Sequence, residues 1–462
     1  MQISDNDGQY DFSLDRFESM LKTNDILFFD ADEFENITYY YLENGKMSKA
    51  KKAIKLGLEQ HPQSINLRLF HVEVLIFENK LNDANELLES LQEIEPSNEE
   101  IYIQKACILS KKNKHTEAIN TLLFALNHTA DEADVHSLIA MEYMFLEDYE
   151  QAKIHFIKCL ESDADDYSSL YNVIYCFDFL EQPHQAILFL NKFLDKSPYS
   201  EVAWHQLGKQ YMSLKQLEKA LTAFDYAIIS DDHFLGAYME KGKVLEKLKH
   251  YQEAIDNYLI TLELEDPTAF AYLHIGKCYD KLQQPEFALQ YFLKAANEDP
   301  LLDKVWNTLT DFYYKRKDFR KALYYINKAI SIDEANVHYW KRFAHINKKL
   351  HFYEEAVKGF KKSLDLGNYE LETWVTRCDL LLELGEYELA KETLLQAKEF
   401  HPEAAEVFYR LSGVSFLINS PSEAYSYLKK ATHIDAEYAF IMEELFPEVF
   451  KRQSVQKFLN SL

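Results

Sequence analysis

The sequence predicts an all-α protein built as a long array of short helical hairpins, and three observations predict it. An alanine recurs every 34 residues, at Ala50, Ala84, Ala118, Ala152, Ala186, Ala220, Ala254, Ala288, Ala322, Ala356, Ala390 and Ala424, without one insertion. Four residues after each stands a bulky apolar group, in order Ile54, Leu88, Leu122, Phe156, Leu190, Phe224, Tyr258, Phe292, Ile326, Phe360, Leu394 and Leu428. The prolines avoid every expected helix interior, where one would cost about 3 kcal/mol. Pro62, Pro96, Pro198, Pro267, Pro300 and Pro402 fall at unit ends, Pro183, Pro285 and Pro421 at the start of a second helix, and Pro447 beyond the array.

Each column has a physical reason. The alanine lies where the second helix of a hairpin crosses the first, and only a small side chain lets the two backbones approach closely. The bulky group one turn later fills the interface with the next unit. The fourth position of each unit holds Phe34, Tyr102, Leu170, Trp204, Tyr238, Tyr272, Trp306, Trp340, Trp374 and Phe408, with Arg68 and His136 departing. All four tryptophans occupy this slot and are expected in the core. The eighth position is glycine at Gly208, Gly242 and Gly276 and mostly small elsewhere, whereas Val72 and Ile174 suggest wider packing.

Residues 201–234, EVAWHQLGKQYMSLKQLEKALTAFDYAIISDDHF, show the unit at its clearest, with Trp204, Leu207, Gly208 and Tyr211 at W-x2-L-G-x2-Y spacing and Ala220 and Phe224 at A-x3-F spacing. In these features the chain resembles the tetratricopeptide repeat family across residues 31–438. The resemblance implies a right-handed α-solenoid of twelve tandem units, with first helices lining a concave groove and second helices forming the back. No one unit buries its apolar face alone, so neighbours and caps complete it. Residues 1–30 are expected to form a tail and an N-terminal cap, with Leu14, Phe17, Met20 and Leu21 at helical spacing within residues 11–24. Residues 439–462 are expected to form C-terminal capping helices whose Lys451, Arg452, Gln453 and Gln456 meet water.

Composition narrows the class. Hydrophobic residues make up 47% of the 462 and charged residues 27%, as in folded soluble proteins. The formal net charge is −26. It is uneven: residues 1–200 carry 17 basic and 36 acidic groups, net −19, and residues 201–462 carry 33 and 40, net −7. Such acidity argues against nucleic-acid or anionic-membrane binding, both of which begin with neutralised phosphates. The N-terminus has neither a basic nor an apolar leader region, and no apolar run is long enough to span a membrane, so a cytoplasmic location is expected. Cys107, Cys159, Cys176, Cys278 and Cys378 form no C-x2-C pair and read as buried reduced thiols.

In the family, positions 2, 5, 9, 12 and 13 of first helices line the groove, and the resemblance carries that lining over to this chain. The early units would present Tyr39, Leu42, Leu69, Ile76, Phe77, Ile103, Cys107, Met141, Met144, Phe145, Tyr171, Tyr175 and Phe179, edged by Asp32, Glu73, Glu100 and Asp134. From the sixth unit a basic track emerges: Lys209, Lys243 and Lys277 at position nine, Lys247, Lys281, Lys315 and Lys349 at position thirteen, with Lys304, Lys341, His345 and Lys348. Residues 269–370 hold 17 basic and 13 acidic groups, although Glu246, Asp280 and Asp311 interrupt the track. The carboxylate clamp that co-chaperones use is absent as a motif, since no unit has asparagine at position nine and lysine at position five occurs only as Lys341.

Chemistry is not indicated. The sequence has no phosphate-binding glycine loop, no H-E-x2-H, only 11 glycines, and scattered histidines. Carboxylate pairs such as Glu354–Glu355 and Glu443–Glu444 read as solvated helix faces. The expected function is therefore a non-catalytic scaffold without cofactor or metal, binding a protein or peptide segment, acidic in part, in its groove. The alternatives are a ligand- or peptide-responsive regulator and a self-associating structural component.

Overall fold

The computed structural model describes residues 6–23, 27–129, 131–264 and 268–459, and their regular structure is entirely helical. Pro267 and the outermost residues of both expected caps lie outside the described residues. Helices follow one another in pairs. First members begin at Ala31, Ile65, Glu99, Glu132, Tyr167, Glu201, Leu235, Ala269, Asp303, Val337, Leu371 and Ala405. Second members begin at Met47, Leu81, His115, Tyr149, Pro183, Leu217, Tyr251, Pro285, Phe319, Tyr353, Tyr387 and Pro421. The chain divides into two compact units, Met1–Ala237 and Tyr238–Leu462. Each is an all-α solenoid of such pairs.

The core of both units is the pair of columns expected from sequence. Every alanine of the 34-residue register is 0% exposed, and every bulky group four residues on is buried. Position eight faces that group and compensates its size. Ala140, Gly208, Gly242, Gly276 and Ala344 stand in the pairs that carry a ring at Phe156, Phe224, Tyr258, Phe292 and Phe360. Val72 and Ile174, by contrast, are matched with Leu88 and Leu190, and all four are buried. Their bulk is thus offset by a smaller partner. A Cβ on Gly208, Gly242 or Gly276 would come within 2.5–2.6 Å of the facing ring.

The turn inside each pair has a feature that the residue types concealed. Its fifteenth position is left-handed in all twelve pairs, but glycine fills it only at Gly45 and Gly385 and asparagine at Asn79, Asn113 and Asn419. Glu147, Glu181, Lys215, Lys249, Gln283, Lys317 and His351 hold φ between 54° and 67°. The conformation persists because the next residue's N–H closes the first helix, as in Lys80→Leu75 and Gln216→Tyr211, both 2.9 Å. A side chain in this region costs on the order of 1 kcal/mol. Lys215→Gly and Lys317→Gly are each expected to stabilise their unit by about 0.5–1 kcal/mol, part of the gain being offset by a freer unfolded chain. Urea titration of the single variants checks this, and a lowered midpoint would refute it.

The tryptophans require a correction. Trp374 is buried, but Trp204, Trp306 and Trp340 are only half-buried. Their indole N–H groups donate to carbonyls six residues earlier, Pro198 at 2.9 Å, Pro300 at 2.9 Å and Glu334 at 2.8 Å. Tyr102 does the same to Pro96 at 2.6 Å. The slot fastens the turn between pairs, a task that needs a donor at the ring's far end and hence partial exposure.

The ends are capped. In the first unit the helix Asn6–Thr23 buries Phe17 and Met20 beside Phe29, Phe34 and Tyr41, the Phe17 ring lying 5.9 Å from Phe29 and 6.1 Å from Phe34. It starts five residues before the expected cap. In the second unit short helices at Phe440–Leu445, Pro447–Phe450 and Gln453–Leu459 bury Ile441, Met442, Phe446, Val449 and Val455. Lys451, Arg452 and Gln453 are exposed and Gln456 half-buried. No helix among the described residues is long and apolar enough to cross a membrane.

Candidate functional site

In the first unit, several residues at positions five, nine and thirteen of the first helices present large apolar side chains at the surface. Tyr39, Phe77, Met141, Phe145, Tyr171, Tyr175 and Phe179 keep between 41% and 68% of their surface exposed. Neighbouring rings hold one another in place. Tyr149 stacks on Phe179 at 4.2 Å, Tyr175 lies 5.8 Å from Phe179, and Phe145 stacks on His115 at 5.1 Å. The other expected members behave differently. Leu69 and Ile76 are buried and belong to the core, a correction that follows from their packing with Val72, Leu88 and Ile101. Leu42, Ile103, Cys107 and Met144 are half-buried, Met144 lying with its sulfur 3.6 Å from the Cys176 thiol. Burial pushes the Cys176 thiol up to about 11, as expected of an inert core cysteine.

Beside this ladder the first three pairs enclose a recess of about 460 Å³ lined by Glu35, Asn36, Tyr39, Asn66, Leu69, Phe70, Glu73, Glu100 and Gln104. Burial, and then the charge of Glu100, raises the Glu73 carboxyl above its ordinary range. Burial likewise raises Glu100, more than the hydrogen bond from Gln104 lowers it, with Glu99 adding to the rise. Asp32 and Asp134 are exposed at the edge.

In the second unit much of the basic track is already neutralised. Lys243 donates to Glu240 at 2.6 Å and sits 5.0 Å over the Phe270 ring. Lys277 is half-buried, and burial lowers its ammonium despite the facing Glu246. Glu246 accepts from Tyr258 at 2.7 Å and contacts the His274 Nδ1 at 2.6 Å. Lys341 is engaged by Glu370 and, at 3.5 Å, by Glu372. Lys315 and Arg316 share Asp280, at 3.6 and 2.9 Å. His345 is half-buried, and burial lowers it. Lys247, Lys281, Lys304, Lys348 and Lys349 remain exposed without an ion pair among the described residues. Lys209, in the first unit, is exposed as well.

Asp231, Asp232 and His233 bring three ligand-type atoms within 4.8 Å. They satisfy one another in a turn, Asp231 accepting the His233 N–H at 2.9 Å and Asp232 facing the His233 ring at 2.6 Å. The carboxylate pairs Glu354–Glu355 and Glu443–Glu444 are exposed, with Glu355 accepting from Lys358 at 2.7 Å.

Residues 133–166 and 271–300 match the family model described as tetratricopeptide repeat. These two stretches are tetratricopeptide repeats, and the same 34-residue register runs through the other helix pairs. No curated protein sequence matches this repeat protein. Among solved structures, the APC/C hetero-tetramer Cut9–Hcn1 covers 88% of this chain and 93% of its own, at 15% identity and a TM-score of 0.38. The C-terminal part of a TPR repeat-containing protein from Cytophaga hutchinsonii covers 55% and 99%, at 14% identity and 0.43. YrrB, described as a TPR protein with an unusual peptide-binding site, covers 38% and 92%, at 19% identity and 0.32.

The exposed rings and free lysines are groups suited to apolar and ionic contact. The recess residues Asn36, Phe70 and Gln104 stand at position six of their repeats, outside the lining columns expected from sequence. Position six, between the expected lining columns, was the missing signal.

Proposed function

We propose that this protein is a non-catalytic interaction scaffold whose first helices hold a segment of a protein partner. The rings of the first unit take an apolar stretch, and the free lysines of the second take an acidic one. The observation that carries the reading is the group of exposed rings at Phe145, Tyr171, Tyr175 and Phe179 on two successive first helices, Glu132–Phe145 and Tyr167–Phe179. Contiguous apolar surface of this kind is uncommon in soluble proteins unless it is used, and ordered rings bind at little entropic cost. Free positive charge at Lys247, Lys281, Lys304 and Lys348 supports the second half through steering of an acidic stretch.

The test is affinity capture with the intact chain, followed by affinity measurement with the purified partner. Tyr175→Ala with Phe179→Ala is expected to weaken binding by about tenfold or more, as for central aromatic anchors, with an unchanged melting temperature. Lys247→Glu with Lys281→Glu and Lys304→Glu is expected to weaken it further and to flatten its salt dependence. Partners that survive both sets of changes would sink the reading.

A further inference from the structure

The recess of the first unit is acidic and lacks a counter-charge, since none of its lining residues is basic. Its carboxylates are not equivalent. Glu35 is satisfied within the fold, accepting from the Ser64 hydroxyl at 3.0 Å and the Asn66 amide at 2.9 Å. Glu73 and Glu100 receive no such pair of donors. Gln104, 6% exposed, donates its amide N–H to Glu100 at 2.8 Å, while its own carbonyl oxygen has no hydrogen-bond donor. A buried acceptor left without a donor carries the full desolvation penalty. The recess therefore demands donors and positive charge together.

We propose that this recess receives the side chain of an arginine presented by the partner segment, its guanidinium between Glu73, Glu100 and Gln104 and against the rings of Tyr39 and Phe70. The proposal rests on the reading of the first helices as the partner-binding face and specifies its chemistry. Several features favour arginine. A guanidinium offers five donors in a planar fork, enough for two carboxylates and the orphaned amide oxygen. Its flat face stacks on aromatic rings, which Tyr39 and Phe70 supply. A small metal ion fits less well, because Glu35, Glu73 and Glu100 do not bring three ligand atoms within 4.8 Å of one another as the turn at Asp231 does. The raised carboxyls of Glu73 and Glu100 accord with this, since an arriving cation offsets the burial that disfavours their charged forms.

The test selects random dodecapeptides displayed on phage against the full chain, then measures the winners as synthetic peptides. The expected winners contain an arginine whose replacement by citrulline, which keeps shape and loses charge, weakens binding by about tenfold or more. Glu73→Gln and Glu100→Gln, both isosteric, are expected to cause a similar loss at unchanged melting temperature. Affinity is expected to fall as acid protonates the two carboxylates. Winners that Tyr175→Ala weakens but that tolerate citrulline or Glu100→Gln overturn the recess assignment and leave the face reading intact. Lysine binding as well as arginine overturns the choice of guanidinium. A library without any winner that Tyr175→Ala weakens overturns the face reading, and this assignment with it.

Discussion

Gly208→Ala is expected to destabilise the first unit by about 1–3 kcal/mol, the range for overpacking a tight core, and Phe224→Leu in the same chain is expected to recover part of the loss. The added methyl would stand 2.5, 2.7 and 2.8 Å from three atoms of the Phe224 ring, all closer than contact allows. Phe224 is 0% exposed, so the ring cannot swing into solvent. Phe224→Leu alone leaves a void and costs stability by itself. In the double variant the two changes share one space, as in the pair where Ala106 stands opposite Leu122. The two losses should therefore add to more than the double variant shows. Trp204 is the one tryptophan of residues 1–237 and lies one helical turn from Gly208, so in a chain with Trp306, Trp340 and Trp374 replaced by phenylalanine its fluorescence during urea unfolding reads the effect. Strict additivity, or a Gly208→Ala protein as stable as wild type, would show that the ring is not confined.

The second large effect is an acid-induced loss of stability in the same unit. His136 and His155 are buried with their Nδ1 atoms 3.0 Å apart, so one donates and the other accepts, and the accepting ring cannot take a second proton without breaking the contact. Burial, then the neighbouring His136 and Lys158, lowers His155 to about 4. Burial likewise lowers His136, with Lys158 adding to it and Glu132 opposing. Tyr143 stacks on His155 at 5.7 Å and offers no negative charge. Unfolded, each imidazole titrates near its ordinary value of about 6.5. The sign follows: above that value both states are neutral and stability is unaffected. As the pH falls below it, the unfolded chain binds protons that the folded chain refuses, and stability is lost until about pH 4, where His155 is protonated in both states. The loss expected is on the order of 2–3 kcal/mol. His136→Tyr with His155→Phe, residues that the same two positions hold in other repeats at Tyr102 and Phe189, removes both titrating groups. Melting temperatures of both proteins between pH 7 and 4 should diverge, and parallel curves would refute the assignment.

The sequence by itself determined where helices begin and which residues fill the crossings between them. The reason is local geometry: a helix crossing needs a small residue at Ala220 or Ala322 and a large one a turn later, and a 34-residue step repeats that need whatever lies further away. The kind of residue at the rings was legible for the same reason. Exposure was not. Leu69 and Tyr171 both hold position five, yet one is core and the other surface, because the neighbouring helices decide what covers them. Free charge was not legible either, since, apart from Glu240 beside Lys243, the groups that engage the basic track and its neighbours lie far along the chain. Glu246 meets His274 across 28 residues, Lys341 meets Glu370 across 29, and Asp280 meets Arg316 across 36. The left-handed turn at Glu181 or Lys317 was likewise hidden, because hydrogen bonds closing the helix impose a conformation that those side chains would not choose. Only the tertiary structure brings one repeat's acid to the next repeat's base, and that pairing decides which lysines remain for a partner.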